Sequence, residues 1–76
     1  MKKKRMKITD VYNLDSHYYD TYDVSDKNGT KGIAFVFNSI SDNDQKELEQ
    51  YNNIIISEGT HKHAPEIKNY RLIIKR

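Results

Sequence analysis

Residues 31 to 38 read KGIAFVFN, and no other stretch restricts the fold as strongly. In a strand, side chains alternate between faces, so Ile33, Phe35 and Phe37 point one way while Ala34 and Val36 point the other. A strand apolar on both sides calls for cover on both sides. The rest of the chain offers one convincing helix. A sheet built on this strand is therefore expected to have one face packed and the other left to solvent, to a second copy or to a partner.

Seventy-six residues make one domain, and a chain of this size buries only about 60% of the surface its unfolded form exposes. With no cysteine there is no disulfide framework to reinforce it, and the composition fits a reducing cytoplasm. The opening MKKKRMK resembles the charged region of a secretion signal, but Thr9, Asp10, Asn13 and Asp15 interrupt what should be an apolar run. The longest apolar run, Ile33 to Phe37, is far too short to span a bilayer. A cytoplasmic protein with no membrane partner is expected. Abundant Lys, Asn, Ile, Asp and Tyr match AT-rich coding, as in Gram-positive bacteria and their phages.

Charge is sorted along the chain. Residues 1–7 sum to +5 and residues 61–76 to +4, whereas residues 8–60 sum to −7. Basic ends around an acidic middle read either as ordinary solvated surface or as a bipolar surface that steers a charged partner.

The alternation in KITDVYNL, residues 7–14, predicts a first strand, with Ile8, Tyr12 and Leu14 on one face. HYYDTYDV, residues 17–24, predicts a second, with Tyr18, Tyr22 and Val24 sharing a face. Asn28 and Gly29 tolerate the backbone of a tight reversal, so this strand and residues 31–38 should form a hairpin. Ser41 is a suitable N-cap, with Asp42 and Asp44 in the first turn, predicting a helix from about Asp42 to Tyr51. Ile54 to Ile56 start another strand, residues 57–69 read as a loop around Gly59 and Pro65, and Tyr70 to Lys75 close the sheet.

KGIAFVFN resembles the ribonucleoprotein consensus of the RNA-recognition motif family, matching at Lys31, Gly32, Ala34, Phe35 and Val36. The resemblance implies a basic residue on phosphate and exposed aromatics stacked on bases. Ile33 and Asn38 replace aromatics of the consensus, and the sixteen residues before His17 are too few for that family's first strand and helix. The likeness covers about a third of the chain and does not assign a family.

His61 and His63 flank Lys62 and would share a strand face; zinc would need two more ligands, such as Glu58 or Glu66. Neither a metal nor another cofactor is expected from that spacing alone. Ser16 and His17 are neighbours that strand alternation points apart, and no phosphate loop or spaced carboxylate pair accompanies them. Catalysis is not expected.

The sequence thus predicts an α+β fold, an antiparallel sheet of four or five strands with one short helix in the order β-β-β-α-β-β. Residues 1–6 form a basic tail and residues 7–76 the domain. The leading functional expectation is a non-catalytic protein-binding module, of the kind a phage uses to modulate or inhibit a host protein. Its contact surface is Tyr18, Tyr19, Asp20, Tyr22 and Asp23, aromatics supplying contact area and carboxylates selecting a basic partner. The alternative is nucleic-acid binding. Lys2, Lys3, Lys4, Arg5 and Lys7 would neutralise phosphates, joined by Arg71, Lys75 and Arg76 if the terminal segments lie side by side, with Lys31 and Phe35 on a single strand. A homodimer closed through the second sheet face is the structural reading.

Overall fold

The computed structural model describes residues 4–76. Its element order is α1 (Ile8–Val11), β1 (Tyr18–Ser25), β2 (Lys31–Phe37), α2 (Asp42–Leu48), β3 (Ile54–Thr60) and β4 (Lys68–Lys75). The four strands form one antiparallel sheet in the order β1-β2-β4-β3. The α+β class stands, with two short helices and four strands. Among the described residues no helix is long and apolar enough to cross a membrane.

The β1–β2 hairpin turns where Asn28 and Gly29 predict it. Gly29 has φ +80, the left-handed region open to glycine, and one Asp26 carboxylate oxygen accepts from the N–H groups of Asn28 at 2.9 Å and Thr30 at 2.8 Å. Ser41 caps α2, its hydroxyl accepting from the Asp44 N–H at 3.2 Å.

Three expectations are corrected. Residues 7–14 hold a helical turn, not a strand: Asp10 accepts from the Lys7 N–H at 2.8 Å, and Val11 and Leu14, three apart, are the residues turned inward. Helix α2 stops at Leu48 because the Gln50 carbonyl and the Asn52 N–H are taken by the main chain of Lys4, at 2.8 and 2.9 Å. Residues 57–60 and 68–69 are strand rather than loop; Ser57 and Glu58 look loop-like only because an edge strand carries polar groups.

One face of the sheet is packed. Phe35, Phe37, Leu72 and Ile74 form the core with Met6, Val11, Leu14 and Leu48 from the segments laid over them. Met6, at the inner end of the segment read as a tail, is thus a core residue. Asn53 fixes that segment: its side chain accepts from the Met6 N–H at 2.7 Å and donates to the Met6 carbonyl at 3.0 Å. The smallest extent of the molecule is 19 Å, room for a sheet and a single helical layer.

The other face carries no helix, yet Ala34 and Val36 are sealed within the chain, at 0% and 5% exposure. The expectation that β2 itself needs outside cover is therefore overturned. Small side chains on a central strand are shielded by their register neighbours, Tyr22 and Ile73 beside Ala34, and Asp20 and Arg71 beside Val36. What remains exposed has moved outward to the flanking strands.

Candidate functional site: the open sheet face

Residues paired directly across antiparallel strands share a face. One row therefore runs Tyr22, Ala34, Ile73 and Ile55 across all four strands on the open side. Tyr22 is 40% and Ile55 45% exposed, the two ends of an apolar stripe. The next row toward one end of the sheet is Val24, Gly32 and Lys75. Toward the other end, Asp20, Val36, Arg71 and Ser57 lie in line.

A bulge in β1 between Tyr18 and Asp20 decides which tyrosines reach this face. The extra residue resets the alternation, so Tyr18 turns to the core while Asp20, Tyr22 and Val24 face the open side. The predicted grouping of Tyr18 with Tyr22 and Val24 is thereby corrected. Tyr18 packs edge-on against Phe35, ring centroids 5.0 Å apart at 77°, and belongs to the fold rather than to a contact surface. Desolvation there, then the neighbouring Tyr12, push its hydroxyl above the ordinary tyrosine range, which keeps it neutral.

Tyr19, at the bulge, stacks on His61 with centroids 5.6 Å apart and planes 14° from parallel; its hydroxyl lies 3.4 Å from His61 Nε2. The segment after β3 is thereby joined to β1 at the far edge of the sheet. Among the described residues no three potential metal-ligating side chains come together. Asp23 sits opposite Ile33, in a row of the packed face, and its carboxylate lies 3.8 Å from the Arg76 guanidinium with both side chains largely in water. Of the five predicted contact residues, the open side thus gathers Asp20 and Tyr22, with Tyr19 at its margin.

The basic residues are brought together in part. Arg5 donates to the Lys75 carbonyl at 3.4 Å, and the Arg76 N–H donates to the Lys31 carbonyl at 2.9 Å, so Arg5, Lys31, Lys75 and Arg76 meet at one end of the sheet. Lys4 bridges to Tyr51, Lys7 precedes α1, and Arg71 leans over Gly59, away from that cluster. Lys2 and Lys3 lie outside the described residues. Phe35 is 1% exposed and faces the helical layer, so the base-stacking role implied by the ribonucleoprotein resemblance is overturned.

Alternation in the last strand sets Ile73 opposite Leu72 and Ile74, as the register has it, whereas Ile55 sits in a triple-apolar run that hides which residue faces out. The alternation of β3 against β4 was the available signal. No family model matches the chain, and no curated protein or solved structure does either.

Proposed function

We propose that this is a non-catalytic module that binds another protein through the open face of its sheet. The supporting observation is the apolar stripe from Tyr22 to Ile55, which crosses every strand on the side without a helix. Aromatic and aliphatic groups set among polar ones are the composition of a contact surface. The AT-rich coding bias directs the search to a bacterial host protein, with phage-type modulation as the biological setting.

The test is affinity capture from that host's lysate, with nuclease and without, comparing the natural chain with Tyr22→Ala and Ile55→Ser. The expected result is a nuclease-resistant protein partner that both substitutions release. A partner set indifferent to both substitutions counts against this surface.

The meeting of Arg5, Lys31, Lys75 and Arg76 favours a second reading, nucleic-acid binding at the sheet's end. Under it, affinity for a single strand falls steeply with salt, and Lys75→Glu flattens the log–log slope by about 0.7 per lost phosphate contact, the single-strand value. An unchanged slope removes this reading.

A further inference from the structure

Gly32, an open-face residue of the inner strand β2, has no side chain to fill the space above it. Val24 on β1 stands on one side, and Ile73 on β4 with Ile55 beyond it stands on the other. The result is an apolar groove of about 190 Å³, with Lys31 and Lys75 among its lining residues. The groove adjoins a more polar hollow reaching Arg76, with Val24 and Gly32 common to both.

One carboxylate, Asp26, also lines the groove, and neither it nor Asp23 pairs with these lysines. Asp26 accepts the turn N–H groups of Asn28 and Thr30, and Asp23 faces Arg76. Among the described residues neither Lys31 nor Lys75 lies within 4 Å of a carboxylate oxygen. An apolar floor whose lining carries two lysines against one hydrogen-bonded carboxylate complements one kind of chemistry: an aliphatic or aromatic side chain with a carboxylate next to it.

Building on the protein-binding reading, we infer that the groove over Gly32 takes an acidic, hydrophobic peptide segment of the partner. An apolar side chain lies between Val24 and Ile73, and a flanking carboxylate pairs with Lys31 and Lys75. A second copy of the chain fits less well. Around the groove Lys31 and Lys75 outnumber Asp26, so stacking two copies there brings like charge together.

The probe is a short peptide alternating glutamate with leucine, titrated into the full ¹⁵N-labelled chain, with the lysine–leucine counterpart as control. Saturable shifts of the Val24, Gly32, Ile73 and Lys75 amides are expected with the acidic peptide only. The Lys31→Glu, Lys75→Glu double variant should bind it at least tenfold more weakly and accept the basic peptide instead, its dispersed spectrum showing that it remains folded. Ile55→Ser provides a charge-neutral check and should also weaken binding.

Equal response to both peptides overturns the inference. So do shifts that map elsewhere, or the same amides shifting on simple dilution of the free protein, which marks a second copy. If the peptides fail while Tyr22→Ala still releases the captured partner, the groove assignment falls and the open-face reading stands. If Tyr22→Ala and Ile55→Ser also release nothing, both fall.

Discussion

Asp44 shows how one side chain can join separate parts of a small fold. It is 3% exposed, and its two carboxylate oxygens accept from the N–H groups of Asp15 at 2.9 Å and Ser16 at 2.7 Å, while Ser41 N–H donates to the Ser16 hydroxyl at 2.9 Å. The connection from α1 to β1 is thereby fastened to the start of α2. Burial acts to raise the pKa of this carboxyl, but the hydrogen bonds from the Ser16 hydroxyl, the two backbone N–H groups and the Ser41 hydroxyl outweigh it. The folded value lies below the ordinary one. A lowered folded pKa contributes stability that is fully present above the unfolded value and is lost as pH falls through the folded value. Asp44→Asn should therefore cost about 2 kcal/mol at neutral pH. Urea midpoints of the two proteins should converge as the solution is acidified below the ordinary carboxylate range. A gap that stays constant down to the lowest workable pH would show that the charge contributes nothing.

At the scale of the element, agreement between sequence and structure follows from where each signal is local. The turn at Asn28 and Gly29 and the cap at Ser41 are written in a few adjacent residues, and both elements form where those residues predict them. The α1 turn was missed because Ile8, Tyr12 and Leu14 mimic alternation, while the pair that decides the matter, Val11 and Leu14, is seen only once the core is known. The β1 bulge leaves no local mark, since Tyr19 differs in nothing from its tyrosine neighbours. Consequently the open face could be foreseen as a kind of surface, whereas its membership, Tyr22 with Ile55 and Ile73, depends on register set across strands. Gly32 is an element-scale constraint of the same sort. A Cβ there would stand 2.6 Å from the Ile74 carbonyl oxygen, a backbone atom that cannot turn aside. Gly32→Ala should force β2 away from β4 and destabilise the fold by about 2 kcal/mol. Amide exchange in β2 and β4 that is faster than in the natural chain, with the β1–β2 turn unchanged, would be its signature. Unchanged exchange in both strands would mean that the pair relaxes without penalty.

At the scale of the whole molecule, the single core leaves little margin, because a chain of this length has a total stability of about 4 to 11 kcal/mol. The segment ending at Met6 is part of that margin. Met6 fills the core beside Val11 and Leu48, and Asn53 holds its backbone through two hydrogen bonds, at 2.7 and 3.0 Å, with a longer one of 3.5 Å to the Lys75 carbonyl. Packing and hydrogen bonding here act on the same residue, so each depends on the other. Loss of the methionine side chain lets the segment lift, and loss of the amide lets the methionine leave. Met6→Ala should lower stability by about 3 kcal/mol and Asn53→Ala by about 2 kcal/mol. The double variant should lose less than the two together, because once either anchor is gone the segment is already loose; contacting residues couple by roughly 0.5 to 3 kcal/mol. Denaturant unfolding of all four proteins measures the coupling directly. Strict additivity would mean that the segment is held at two independent points.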